Sequence, residues 1–135
     1  DAVFDIVCRA GRHLQRGDTI LARWDISPVL AGMHDLRTVA DGFHRNAEGR
    51  RFMAETLAAP TVEAQTALAR RGIGTILMTD PLDGFLGGHV EIYDLHPDWK
   101  SSFAIALWKN EVPEWEAVEG NDHARLYVRR IEPQE

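Results

Sequence analysis

The stretch Ile20-Leu-Ala-Arg-Trp-Asp25-Ile-Ser-Pro-Val-Leu30 decides the fold class of this chain. It predicts a short apolar strand, a Trp-Asp turn and a helix, because Ser27-Pro28 is typical of a first helical turn. Residues 38–46 predict a second strand and a polar turn, and residues 64–79 predict a helix and a third apolar strand. This alternation of strands and helices indicates an α/β domain with a mostly parallel sheet.

Polar and aromatic side chains follow the first two predicted strands. Trp24 and Asp25 come after the first strand, and His44, Arg45 and Asn46 come after the second. The carboxyl ends of parallel strands meet at one edge of a sheet, which is where open α/β sheets bind ligands. We therefore expect Asp25 and His44 to lie close together and to form a substrate-binding site with their neighbours.

The chemistry of the Trp-Asp pair has two interpretations. Trp24 can form an apolar wall beside the carboxylate of Asp25, an arrangement that suits a hydroxyl or amide donor on a ligand. Alternatively, Trp24 fills core space and Asp25 caps the helix that begins near Ser27. The residue types are compatible with both.

The His-Arg-Asn segment also has two interpretations. His44 and Arg45 can contact an anionic or sugar-like group. In the structural alternative, Asn46 caps the next helix and Arg45 pairs with nearby acids. We favour the binding role for His44 and Arg45, and the cap for Asn46.

The remaining segments complete a domain with helices around the sheet. Cys8 lies among apolar residues of the first helix and is predicted to be buried, and Thr61 resembles the N-cap of a later helix. The predicted helices are 2–15, 48–58, 61–72 and 97–113, and the predicted C-terminal hairpin pairs 115–119 with 124–131. Together these elements predict a Rossmann-like three-layer sandwich with a mostly parallel sheet and a C-terminal β-hairpin.

Composition limits the classes of function. The 135 residues, 44% of them apolar and 27% charged, fit one globular domain over 1–135. The net charge of −6, without a basic stripe, argues against nucleic acid as a partner. No apolar run in this sequence is long enough for a membrane span, and no positively charged start followed by an apolar stretch indicates a signal peptide. Because the chain begins at Asp1 without a methionine, we expect a piece of a longer protein.

Common catalytic and metal motifs are missing from the sequence. Gly72-Ile-Gly74 precedes a strand and lacks the third glycine of a dinucleotide fingerprint. The six histidines never take the spacing of a zinc protease, and no nucleophile elbow is present. We therefore expect no catalytic residue, no metal ligand and no cofactor in this domain, and no activity of the isolated chain.

Part of the sequence resembles the extracytoplasmic domain at the carboxyl end of oligosaccharyltransferase catalytic subunits and related multispan glycosyltransferase-like proteins. The resemblance lies in residues 20–25, 39–41 and 64–78. In that family a strand ends in Trp-Trp-Asp, which recognises the hydroxyl of an Asn-x-Ser/Thr acceptor. Trp24 and Asp25 match the last two residues of the motif, and Arg23 stands at the first. The resemblance implies a domain that recognises or positions an acceptor.

A second likeness is to bacterial multispan membrane proteins in which the second strand runs into Phe/Tyr-His-Arg-Asn, matched here by residues 43–46. In that class, acidic loops of the membrane part handle the lipid-linked donor and a divalent metal. The resemblance implies a domain on the periplasmic side of the bacterial inner membrane, attached to its own transmembrane region and facing an acceptor polypeptide or glycan. The alternatives are a non-catalytic structural or interaction module and, third, an independent soluble enzyme.

Overall fold

The computed structural model describes residues 2–22, 27–39, 47–82 and 98–130, and in these ranges helices and strands follow the predicted order. The strands are β1 (Thr19–Leu21), β2 (Arg37–Thr38), β3 (Thr75–Thr79), β4 (Trp115–Gly120) and β5 (Ala124–Arg129). The α-helices are α1 (Ala2–Ala10), α2 (Ser27–His34), α3 (Ala47–Ala58), α4 (Thr61–Arg70) and α5 (Phe103–Trp108), and a 3-10 helix covers Trp99–Ser101.

The described strands form one sheet with the order β2-β1-β3-β5-β4. Strand β1 pairs in parallel with both β2 and β3, whereas β5 is antiparallel to both β3 and β4. The predicted parallel start and C-terminal hairpin are therefore confirmed. The sheet is mixed, since only its β2-β1-β3 end is parallel, and the Rossmann-like three-layer sandwich stays a prediction.

Alternating strand residues divide the core into two clusters. Ile20, Leu77 and Leu126 pack with the buried faces of α1 and α2. Their neighbours Leu21 and Ile76 belong to the other cluster, which includes residues of α3, α4 and α5. Successive residues of a strand point to opposite faces, so each central strand contributes to both clusters.

The first helix is shorter than predicted, and its cysteine is exposed. Helix α1 ends at Ala10, and a β-carbon on Gly11 would lie 2.8 Å from the His34 ring. The His34 Nε2 atom lies 2.7 Å from the Val7 carbonyl oxygen, so this ring packs against the end of α1. The prediction that Cys8 is buried is wrong, because the buried face of α1 consists of Ile6, Val7 and Ala10.

Helix α4 begins differently from the prediction. Thr61 is not the N-cap, since Pro60 occupies that position without any side-chain cap. The Pro60 carbonyl accepts a hydrogen bond of 3.0 Å from the Ala64 N–H, so the first helical bond starts one residue earlier than the motif indicates.

The predicted helix over 97–113 is split into two parts in the described range. The 3-10 helix ends at Ser101, and α5 begins at Phe103. The Phe103 N–H donates to the Ala59 carbonyl at 2.8 Å, a bond that ties the start of α5 to the end of α3. The tertiary contact explains why the helix does not run continuously through Ser102.

Candidate functional site

The carboxyl ends of β1, β2 and β3 lie at one side of the sheet, which we call the carboxyl edge. The turn between β4 and β5 reaches the same edge, because the Asp80 N–H donates to the His123 carbonyl at 3.0 Å. The Asn121 side-chain amide donates to the Ala2 carbonyl at 2.8 Å and holds the start of α1 there. The carboxyl edge therefore collects the start of one helix, the ends of three strands and one hairpin turn.

The residues predicted to form the site, Trp24, Asp25, His44, Arg45 and Asn46, lie outside the described residues. Their mutual proximity stays a prediction.

The strands that lead to the predicted site residues are described. Thr19 pairs with Arg37 and Ile20 with Thr38 in the parallel register, and the Val39 N–H donates to the Ile20 carbonyl at 3.3 Å. Adjacent strands are spaced by about 4.8 Å. The two strands that precede the predicted residues in the sequence thus end side by side at the same edge of the sheet.

Asp80 is a residue of this edge that the sequence reasoning did not select for the site. It directly follows the fully buried strand β3 and is itself half-buried. The Leu82 N–H donates to its Oδ1 atom at 2.9 Å, so the carboxylate has a defined orientation. The sequence signal for Asp80 is an acid placed directly after an apolar strand, and the same pattern underlies the prediction of Asp25.

A small apolar recess lies at the carboxyl edge, lined by both chain neighbours of Asp80 but not by Asp80 itself. It has a volume of about 20 Å³ and is bordered by Ala22 after β1, by Thr79 and Pro81 around Asp80, and by Met53 of α3. A space of this size accepts one methyl group or one water molecule. The carboxyl edge therefore combines a half-buried acid with an apolar hollow.

The opposite side of the sheet, the amino edge, carries a wider cleft of about 690 Å³. Its lining mixes charges of both signs, with Asp18 and Glu114 opposing Arg129 and Arg130. The Arg130 guanidinium also lies 3.5 Å from the Glu116 carboxylate. The charges in this cleft largely offset one another, so it does not select an anionic or a cationic ligand.

A charged cluster joins the end of α1 to the edge strand β4. The Arg9 Nε atom and the His13 Nε2 atom each lie 3.1 Å from a Glu119 carboxylate oxygen. The hydrogen bond with His13 lowers the pKa of the Glu119 carboxyl, and the charge of Arg9 adds to this effect. These contacts fasten a helix to the sheet and suggest a structural role.

Two further observations concern the described part of the chain. Within these ranges, no three His, Cys, Asp or Glu side chains are grouped closely enough to bind a metal ion. None of the helices in these ranges is long and apolar enough to cross a membrane.

The fold is similar to that of solved structures from the archaeon Archaeoglobus fulgidus. One is the C-terminal globular domain of the oligosaccharyltransferase AglB-S2, with a TM-score of 0.76 and 11% identity, covering 94% of this chain and 96% of that one. A second C-terminal globular domain of oligosaccharyltransferase from this organism has a TM-score of 0.64 and 12% identity, covering 93% and 91%. No protein-family model and no curated protein sequence matches the chain. At this identity the likeness establishes a shared fold.

Proposed function

We propose that this chain is the acceptor-positioning domain of a membrane-embedded glycosyltransferase of the oligosaccharyltransferase type. The observation that carries the proposal is the likeness to the AglB-S2 domain, which spans nearly the whole of both chains with a TM-score of 0.76. Fold alone does not specify function. The second support is therefore local, namely a Trp-Asp pair that follows β1 in the sequence.

The proposed chemistry is recognition. The Asp25 carboxylate accepts a hydrogen bond from a hydroxyl or amide of the acceptor, and Trp24 supplies an apolar wall. His44, Arg45 and Asn46 contact the acceptor from the segment that follows β2. These groups orient the acceptor and do not break bonds, so bond making takes place elsewhere in the protein.

The remaining parts of the proposal concern the parent protein. We place the domain at the periplasmic side of a bacterial inner membrane, against its own transmembrane region. That region would bind the lipid-linked sugar donor and a divalent metal. The periplasmic location and the binding role of the transmembrane region both follow from the sequence resemblance. The fold similarity does not address either of them.

The test is glycan transfer by the full-length protein in membranes. The donor is lipid-linked oligosaccharide extracted from the source cells, and the acceptor is a fluorescent Asn-x-Thr peptide, with an Asn-x-Ala peptide as the substrate control. Asp25→Asn and His44→Ala are each expected to lower transfer about tenfold at matched protein level, because each removes a specific hydrogen bond.

Asp35→Asn is the matched control variant. Asp35 is exposed, follows α2 and precedes β2, so it lies at the amino edge, and asparagine tolerates its positive φ of 54°. Its exposed ion pair with Arg16 contributes little to stability. If Asp25→Asn and His44→Ala both transfer glycan at the wild-type rate, the domain is a structural or interaction module instead.

A further inference from the structure

Asp80 is held rigidly at the carboxyl edge by two hydrogen bonds. Its backbone N–H donates to the His123 carbonyl at 3.0 Å, and its Oδ1 atom accepts the Leu82 N–H at 2.9 Å. The preceding residue, Thr79, is buried and paired with Ala124 of β5. The carboxylate therefore cannot move far from the rim of the sheet.

The Asp80 carboxylate has hydrogen-bonding capacity that these contacts do not use. A carboxylate offers about four acceptor positions on two oxygens, and the described residues occupy one of them. No ion pair within the described ranges involves Asp80. A half-buried carboxylate without a cation is suited to accept an N–H or O–H group from a ligand.

The sheet register places the end of β3 beside the end of β1, the strand that precedes the proposed acceptor-binding acid in the sequence. Leu21 of β1 pairs with Ile76 of β3 in the parallel register. Counted along the chain, Asp25 is the fourth residue after Leu21, and Asp80 is the fourth residue after Ile76. Two neighbouring parallel strands are thus followed at equal spacing by an acid.

The apolar recess adds a second feature that a ligand can use. Thr79 and Pro81, the two chain neighbours of Asp80, line it together with Ala22. Because both chain neighbours of Asp80 line the recess, it lies near a ligand bound at Asp80, and its volume of about 20 Å³ has room for a methyl-sized group.

We propose that Asp80 is a second acceptor-binding residue, which accepts a hydrogen bond from a peptide N–H or side-chain O–H of the acceptor while the adjacent recess receives an apolar group. This inference rests on the proposed function and adds a residue to the same edge. A purely structural role is the alternative, in which the carboxylate serves only the turn that ends at Leu82. The two roles are separable, because an asparagine oxygen can accept the Leu82 N–H equally well.

The experiment measures transfer kinetics of the full-length protein with the fluorescent Asn-x-Thr peptide and lipid-linked oligosaccharide. Asp80→Asn keeps the turn and removes the charge. We expect a KM for the peptide about tenfold higher, as for the loss of a charge-assisted hydrogen bond. The KM for the lipid-linked donor and the melting temperature are expected to stay at their wild-type values.

Asp80→Ala and the control Asp35→Asn complete the series. Asp80→Ala is expected to raise the peptide KM to the same degree and also to lower the melting temperature, because it removes the turn bond. Asp35→Asn is expected to leave both KM values unchanged. A wild-type peptide KM in Asp80→Asn, measured alongside an impaired Asp25→Asn, would reject the role of Asp80 and keep the proposed function. Wild-type kinetics in both variants would reject the proposed function itself.

Discussion

Replacing Tyr127 by phenylalanine is expected to stabilise this protein, although most substitutions of buried residues destabilise. Tyr127 lies in the middle of β5 with 1% of its surface exposed. Its hydroxyl meets the geometric criteria for a hydrogen bond with none of the described residues, and the nearby Arg125 side chain only partly offsets the rise of the Tyr127 pKa that burial causes. The Arg125 side chain on the same strand stacks on the Trp108 ring at 4.0 Å and donates to the Trp108 carbonyl, so that guanidinium is already engaged.

The magnitude follows from two opposing effects. A buried hydroxyl without a partner costs about 1–3 kcal/mol, and Tyr127→Phe removes that cost. The substitution leaves a hydroxyl-sized void, which costs roughly 0.5 kcal/mol at about 24 cal/mol per Å³. The net expectation is a gain of about 1 kcal/mol in the free energy of unfolding, or a melting temperature higher by about 3–5 °C.

Urea unfolding followed by circular dichroism measures this gain. Leu126→Ala serves as the control on the same strand, because Leu126 is fully buried on the other face and its truncation is expected to cost about 2–5 kcal/mol. An absorbance titration of the tyrosinate, with Tyr127→Phe identifying the signal of Tyr93, checks the burial separately, since burial raises the pKa of the Tyr127 hydroxyl above its ordinary 10.0 and the nearby Arg125 opposes this rise. A loss of 1 kcal/mol or more in Tyr127→Phe would show that the hydroxyl is bonded and would refute the reasoning.

The contacts of α1 with β4 and with α2 give two further predictions. The pKa of Glu119 is lower in the folded protein than its ordinary value of 4.5. Its bridge to His13 therefore stabilises the folded protein fully above pH 4.5, and this stabilisation is lost as the pH falls through the lower folded pKa. The difference in unfolding free energy between wild type and Glu119→Gln should therefore be full at pH 6 and disappear at low pH, and a pH-independent difference would contradict this. Gly11→Ala should cost about 1 kcal/mol in thermal unfolding, because its β-carbon displaces the His34 ring. Gly32→Ala, which meets nothing within 4 Å inside α2, should stabilise by about 0.5–1 kcal/mol, and equal effects of the two changes would contradict the packing argument.

The sequence determined the elements whose signal is local. The apolar run of residues 73–79 became the fully buried strand β3, and the turn residues 120–122 marked the hairpin of β4 and β5. The pair Ser27-Pro28 opened α2 as predicted, because both residues favour a first helical turn whatever surrounds them. The resemblance to oligosaccharyltransferase subunits, based on residues 20–25, 39–41 and 64–78, agrees with the fold similarity to oligosaccharyltransferase domains.

Tertiary contacts decided the features that the chain pattern left open. Helix α1 ends at Ala10, where the His34 ring packs against Gly11, and α5 starts at Phe103, where the Ala59 carbonyl accepts its N–H. Cys8 is exposed because α1 lies on the sheet through one stripe of residues, and the pattern alone did not assign this cysteine to the outer side.

The sequence predicted only part of the candidate site, because a local pattern does not record contacts between distant segments. Local pattern predicts a site role for Asp25, because an acid after an apolar strand is visible along the chain. Asp80 has the same local signal, and the tertiary structure adds that the end of β3 lies beside the end of β1 in the sheet order β2-β1-β3. Strand order is set by which faces of distant segments bury together, and a sequence read residue by residue contains no direct measure of those long-range pairings.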